Sequence, residues 1–180
     1  MNHGAWTGEM GCRLYQKYAQ TVHQVYYDHG KDAKSEPHFC KPIPFFDECT
    51  TASTLSAVDI AVVNQKKGAI ELIAEVEESS SEPKHVIGDI VNILLSEAVR
   101  IKGKDYALGD SVLVLGLRAD SRGNAKMKSK RVAAKLQEIN RKIGIRRISL
   151  VLVFDDDAKK LATKVETEID RQIARLKPDG

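Results

Sequence analysis

The sequence has few cysteines and no long apolar run. Three cysteines in 180 residues are too few, and odd in number, for a disulfide framework, so we expect a reducing, cytoplasmic location. No apolar stretch reaches the length of a membrane span, and the N-terminal segment lacks the charged and apolar regions of a signal peptide. There is no internal repeat and no low-complexity tract. These absences argue against secreted, membrane-spanning and repeat proteins.

The composition suits one soluble domain. A length of 180 residues fits a single domain, 42% hydrophobic residues are enough for a core, and 29% charged residues suit a soluble surface. We divide the domain into an N-terminal helix and irregular segment over 1–56, a core over 57–155 and a C-terminal helix over 156–180. The net charge of +3 neither indicates nor excludes a nucleic-acid partner by itself.

The most informative stretch is a predicted β-hairpin. Two apolar runs rich in Val and Ile, Ala57–Val63 and Ala69–Val76, flank the polar turn NQKKG. Runs of this length and composition on either side of a short polar turn are typical of paired strands.

Acidic residues interrupt both strands of this hairpin. Asp59 lies in the first, and Glu75 and Glu77 end the second. An acid inside a buried strand must be offset by a partner or a metal ion, and side chains two apart on a strand share a face. If Asp59 faces the same side, three carboxylates converge at one end of the hairpin. That arrangement predicts a site for Mg²⁺ or Mn²⁺, because Mg²⁺ takes one or two carboxylates and keeps several waters.

The rest of the chain alternates between helical and strand patterns. Helical spacing predicts an amphipathic helix over 8–29, and three prolines interrupt the following segment, apart from a short strand at 43–46. A helix with Ser81 as its cap carries an apolar face as far as Val99, and its stripe of Asp89, Asn92 and Ser96 is expected to be solvated. The remaining predicted elements are a strand over 110–117, a helix over 124–143, a strand over 148–154, and a charged helix after Asp155–Asp157. The order indicates a three-layer α/β sandwich.

An Asp in one strand, the triplet Glu75-Val76-Glu77 ending the next, and then a helix resemble the PD-(D/E)XK nuclease superfamily. The sequence departs from that pattern at Glu77, where lysine is usual, and at Val58, where the motif's name has Pro. Some type II restriction enzymes of the superfamily also carry Glu at the lysine position. The resemblance covers roughly residues 1–155. It implies a restriction-endonuclease-like fold, an α/β/α sandwich around a mixed central sheet.

The resemblance also implies a function. It is that of a metal-dependent DNA endonuclease of the restriction or DNA-repair kind, with Asp59, Glu75 and Glu77 binding Mg²⁺ or Mn²⁺. Glu77 or Lys84 would position the attacking water, since the family sometimes supplies its lysine from the helix after the motif. His85 could replace that charge only when protonated. Glu9 would join the metal site if this chain follows members whose first helix supplies an acid.

Basic residues are concentrated in one segment. From Arg118 to Arg147 there are eleven basic and two acidic residues, an excess of nine positive charges, so the rest of the chain is net negative. Such an excess is typical of a polyanion-binding surface, although charged runs are often simply solvated. We expect DNA contacts from its first half, which contains Arg118, Arg122, Lys126, Lys128, Lys130 and Arg131.

Several alternatives remain open. The chain can be a catalytically inactive nucleic-acid-binding or scaffold protein of the same fold, or the three acids can be structural and paired with Lys or Arg. The sequence does not distinguish DNA from RNA, and a homodimer would suit symmetric duplex cleavage. His38, Cys40 and Cys49 are one ligand short of a zinc site, so we expect reduced, zinc-free thiols.

Overall fold

The computed structural model describes residues 4–29, 40–77, 83–118, 124–143 and 148–176, and it is a mixed α/β structure. None of the helices in these ranges is both long enough and apolar enough to cross a membrane. The described elements are α1 (Ala5–Tyr18), β1 (His23–Tyr27), β2 (Ile43–Phe45), β3 (Ile60–Asn64), β4 (Ala69–Glu77), α2 (Pro83–Leu95), β5 (Ala98–Ile101), β6 (Lys104–Arg118), α3 (Asn124–Ile143), β7 (Ile148–Asp155) and α4 (Ala158–Arg175).

The strands form one mixed sheet in the order β1-β3-β4-β6-β5-β2, with β7 paired to β6. The pairs β1–β3 and β3–β4 are antiparallel, whereas β4, β6 and β7 run parallel. The long strand β6 pairs with β4 along one side, and on its other side its first residues pair with β5 and its later residues with β7. The carboxyl ends of β4, β6 and β7 therefore lie at one edge of the sheet.

Helices cover both faces of the sheet. On the face that we call the α2–α3 face, Ile73 and Leu115 pack with Val86 and Ile90 of α2 and Ala133 of α3. On the opposite, α1–α4 face, the packed residues include Met10, Leu14, Val62, Leu72, Val114, Leu161 and Val165. These buried apolar side chains supply the main driving force for the fold, at about 1.5–3 kcal/mol for each large one.

An irregularity in β4 sets which of its residues face α2. The register with β6 shifts between Ile70 and Leu72, and both residues are buried, but on opposite faces. Regular alternation would place residues two apart on one face, so the extra residue reverses the alternation. Beyond it, Leu72 and the next alternate residues face α1 and α4, which leaves Glu75 and Glu77 on the α2–α3 face.

The hairpin, β2, α3, β7 and α4 confirm the predicted elements, but two predicted helices extend too far. The first helix ends at Tyr18, and Val22, Val25 and Tyr26 belong to the turn and strand that follow it. The helical spacing of these residues gave a wrong prediction, because their pairing with β3 outweighs local periodicity. Likewise α2 ends at Leu95, and Val99 is a strand residue of β5. The predicted cap Ser81 lies outside the described residues.

One of the three aspartates before α4 caps the helix. Asp157 is the N-cap, and its side chain accepts a hydrogen bond from the Lys160 backbone N–H at 2.8 Å. We expect Asp157→Ala to lower the free energy of unfolding by about 1 kcal/mol, because an orphan helix N–H loses its acceptor. Urea denaturation of this variant beside Asp156→Ala, a change at an exposed neighbour, measures the effect. Equal losses in the two variants would contradict the capping role.

Candidate active site

Three acidic residues lie side by side where β1, β3 and β4 meet. Tyr27 pairs with Ile60, and Ile60 pairs with Ala74. One position further along, the Asp28 N–H donates to the Asp59 backbone oxygen at 3.0 Å, which continues the β1–β3 ladder. Because Ile60 pairs with Ala74 in the antiparallel ladder, the next position places Asp59 beside Glu75. Asp28, Asp59 and Glu75 therefore occupy neighbouring positions across the sheet.

Asp59 and Glu75 are joined by two hydrogen bonds through the backbone. The Asp59 N–H donates to Glu75 Oε2 at 3.2 Å, and the Val76 N–H donates to Asp59 Oδ2 at 2.8 Å. Each carboxylate thus binds a main-chain amide on or beside the other strand. Of the three hairpin acids that were predicted to converge, Asp59 and Glu75 lie together on the α2–α3 face.

The pKa of Glu75 lies well above its usual range. Burial is the largest cause, since the carboxyl group is densely surrounded by protein even though the residue keeps some exposed surface. Repulsion from Asp59, Asp89 and Glu77 adds to it, and the hydrogen bond from the Asp59 N–H opposes it. The carboxylates of the site therefore repel one another, and binding of a proton or a cation would reduce that repulsion.

Glu77 and Asp89 complete the acidic surroundings. Glu77 is two residues beyond Glu75 and shares its face, in register with Leu117 of β6. Asp89 belongs to α2, and it is only partly exposed although its stripe was expected to be solvated. The amphipathic pattern of α2 gave no sign that Asp89 would approach the hairpin acids, because the tilt of a helix on a sheet is a tertiary property.

Asp28 and His29 were not predicted as site residues. His29 Nδ1 lies 3.6 Å from Asp59 Oδ1 and 3.9 Å from Asp28 Oδ2, and these side chains are 26%, 15% and 11% exposed. Helical spacing predicted both residues at the end of the first helix. Recognition of HQVYY as a short strand followed by an acid would have identified them.

The donor chemistry suits a hard cation. Within the described ranges, no three His, Cys, Asp or Glu side chains converge on a point where a metal ion could be bound. Asp59 and Glu75 are turned toward main-chain amides instead. Mg²⁺ needs only one or two carboxylates beside its waters, and the crowded charge at Glu75 gives a cation a favourable environment. If the site binds a hard cation, Asp59 and Glu75 are the residues that would hold it.

One predicted catalytic residue lies in another position. Glu9 is exposed on α1, which packs on the opposite face of the sheet. The pKa of Arg13 is raised chiefly by its hydrogen bond to Glu166, and Glu9 adds a smaller contribution. Lys84 is exposed in the first turn of α2. The side chain of His85 lies outside the described residues.

The basic residues of α3 begin at the same edge of the sheet as the acids. Lys128, Lys130 and Arg131 are exposed, and Lys130 Nζ lies 5.9 Å from the centre of the Phe154 ring. Phe154 is in register with Leu117, which is in register with Glu77. Glu77 and Phe154 are therefore two strands apart, about 10 Å. Arg118 is exposed at this edge too, and its Nε donates to the Asp156 backbone oxygen at 3.0 Å.

The other end of α3 lies at the opposite edge. A 20-residue helix is about 30 Å long, so Arg141 and Lys142 are far from the acids. Lys135 and Lys142 both pair with Glu138, which offsets part of their charge. Arg122 lies outside the described residues, and so does the side chain of Lys126. The positive charge adjacent to the acids is thus supplied by the first half of α3.

The predicted cysteine thiols are partly buried. The pKa of Cys40 is raised to about 11, chiefly by burial, so its thiol stays protonated near neutral pH. Cys49 is partly buried in the segment after β2. His38, the third residue of the zinc hypothesis, lies outside the described residues.

The raised pKa of Glu75 predicts a pH-dependent stability. The folded state holds the Glu75 proton more tightly than the unfolded state, so its contribution is present below the unfolded pKa and is lost as pH rises through the folded pKa. The loss is about 1.4 kcal/mol for each unit of pKa difference. Glu75→Gln cannot ionise, so we expect its stability relative to the parent to increase as pH rises above the ordinary pKa of glutamate and toward the raised folded-state pKa.

Urea denaturation in EDTA across that pH range measures the difference. Glu97→Gln is the matched control, since it removes an exposed acid from the turn between α2 and β5. Parallel stability curves for the parent and Glu75→Gln would show that Glu75 titrates normally.

Comparison with known proteins does not add to this description of the site. No family model matches the chain, and no curated protein and no solved structure gives a significant match. The arrangement of residues in the site is thus the basis for any functional assignment.

Proposed function

We propose that the chain is a metal-dependent endonuclease that hydrolyses phosphodiester bonds in DNA, with a restriction-endonuclease-like fold. The observation that carries the proposal is the pairing of Asp59 and Glu75 on adjacent strands, where burial and then repulsion from neighbouring carboxylates raise the pKa of Glu75. Burying such a pair is costly unless a ligand compensates it, and a divalent cation is the ligand that matches its hard oxygens.

Each residue has a role in this proposal. Asp59 and Glu75 would hold Mg²⁺ or Mn²⁺, which supplies Lewis acidity and shares the negative charge that develops on the phosphate. Glu77 lies two residues further along β4, at the last position of the strand, where it would orient a water molecule and accept its proton. Asp28 and Asp89 keep the local potential negative and so favour cation binding.

The connectivity supports the same proposal. The antiparallel strands β1, β3 and β4 are followed by a helix and by β6, which is parallel to β4. This order of helix, strands, helix, strand, helix agrees with the core order implied by the motif resemblance. The acids lie at the end of the hairpin and just before α2, as the motif requires.

The first half of α3 offers a surface for the substrate backbone. Lys128, Lys130 and Arg131 are exposed at the edge of the sheet where β4 ends with Glu77. Cations on an element beside a hydrolytic centre can bind phosphates that flank the one being cleaved. DNA lying across this edge would then meet positive charge on α3 and the acids on β4.

A second candidate is a nuclease-fold protein that binds nucleic acid without cleaving it. The specific observation in its favour is Glu77 at the usual lysine position, together with the orientation of Asp59 and Glu75 toward main-chain amides. Calorimetric titration with Mn²⁺, followed by incubation with plasmid DNA and Mg²⁺ or Mn²⁺, separates the two. Cation binding with nicking or linearisation supports the nuclease, and DNA binding without either supports the second candidate.

The position of α3 predicts which basic residues bind DNA. Lys128→Gln with Arg131→Gln should weaken binding for all sequences alike and reduce the slope of log affinity against log salt by up to about 2 units, since each phosphate contact contributes about 0.9. Fluorescence anisotropy over a series of salt concentrations measures that slope.

The matched control is Arg141→Gln with Lys142→Gln, which removes the same charge from the far end of the same helix. We expect a slope close to that of the parent. Equal reductions in both double variants would mean that net charge, rather than this surface, determines binding.

A further inference from the structure

His29 is packed between Asp59 and the start of α1. On one side its Nδ1 lies 3.6 Å from Asp59 Oδ1. On the other side is Gly4, a buried residue with φ +81° that precedes α1 and whose backbone oxygen accepts a hydrogen bond from the Gly8 N–H at 2.9 Å. The first turn of the helix therefore holds Gly4 in place against the imidazole ring.

The contact between Gly4 and His29 leaves no room for a side chain. A Cβ atom at residue 4 would lie 1.8 Å from His29 Cδ2 and 2.6 Å from Cγ. Two separate constraints favour glycine at residue 4: the steric contact with His29 and the positive φ. The imidazole ring thus packs on one side against the main chain of residue 4.

The carboxylate of Asp59 consequently has a neighbouring group on each of its two oxygens. Its Oδ2 accepts the Val76 N–H at 2.8 Å, and its Oδ1 faces the imidazole. We propose that His29 is a positioning residue, which fixes the orientation of the Asp59 carboxylate beside Glu75 before any cation binds. This inference rests on the proposed function, in which Asp59 binds a cation. A ligand whose orientation is already fixed binds a cation without the entropy cost of ordering it.

The test uses His29→Ala and His29→Asn, because Asn retains a nitrogen near the position of Nδ1 but does not titrate. The first measurement is hydrogen exchange of the Val76 amide by NMR in metal-free protein, with the Ile73 amide in the middle of β4 as the internal reference. We expect His29→Ala to speed exchange at Val76 and not at Ile73, because a mobile Asp59 releases its donor. His29→Asn should keep exchange close to that of the parent.

The second measurement is Mn²⁺ affinity by calorimetry. We expect His29→Ala to bind about 10–100-fold more weakly, the usual cost of losing a group that orients a metal ligand, and His29→Asn to recover most of the loss. Gly4→Ala displaces the ring without changing its chemistry and should reproduce the His29→Ala pattern. If Gly4→Ala does not fold, His29→Ala and His29→Asn decide the question.

The outcomes distinguish this inference from the proposed function. Unchanged Val76 exchange in His29→Ala would overturn the positioning role, and so would an unchanged Mn²⁺ affinity. Failure of the parent protein to bind Mn²⁺ would refute the nuclease proposal, whereas the Val76 amide would still report whether His29 orients Asp59.

Discussion

Asp59→Ala and Glu75→Ala should each abolish DNA cleavage while the fold is retained. Both residues are proposed to hold the cation, and loss of a ligand should cost more than the roughly 10–100-fold that loss of an orienting partner costs a metal site. The expected result is supercoiled plasmid that stays intact with Mg²⁺ or Mn²⁺ in either variant, while the parent nicks or linearises it. EDTA should abolish the activity of the parent.

Folding must be checked beside activity, since the Asp59 carboxylate also accepts the Val76 N–H. Asp59→Asn and Glu75→Gln keep the side-chain shape and should be equally inactive. Glu97→Ala removes an exposed acid at the other end of α2 and should cleave like the parent. Cleavage by the parent in EDTA, or by either Ala variant, would refute the proposed mechanism.

Glu77→Gln should lower the cleavage rate by about 10²–10⁴-fold, the typical cost of losing a positioned acid–base group. Gln retains the shape of the side chain and its position two residues beyond Glu75, so the change isolates the carboxylate charge. Single-turnover cleavage with saturating Mn²⁺ measures the chemical step. Mn²⁺ affinity should fall less than the rate if Glu77 acts on water rather than as the main ligand.

Glu77→Lys tests whether the site is built for an acid. In an active site that uses Glu77, the new ammonium would compete with the cation for Glu75, and activity should fall below that of the parent. Glu75 already experiences repulsion from Glu77, so a cationic side chain there should lower the pKa of Glu75. The opposite pattern, cleavage by Glu77→Lys and none by the parent, would favour the inactive nuclease-fold alternative.

The local elements with strong patterns were predictable. The bounds of α3 are the predicted 124–143, and the hairpin and β7 differ from the prediction by a few residues. In these segments, periodicity, turn residues and apolar runs all indicate the same structure. The failures occurred where local periodicity was ambiguous. Val25 and Tyr26 fit a helical spacing, yet they pair with β3, because strand pairing is decided by a partner distant in sequence.

The sequence by itself determined the acids and the charge segregation, since Asp59, Glu75 and Glu77 stand out in apolar strands and the basic excess is a matter of counting. Only the tertiary structure brought Asp28, His29 and Asp89 to them. Strand order placed β1 beside β3, helix packing turned Asp89 toward Glu75, and the irregularity in β4 directed Glu75 and Glu77 to the α2–α3 face. Spacing along a chain specifies which residues share a strand or helix face, whereas the distance between elements depends on how their buried surfaces pack.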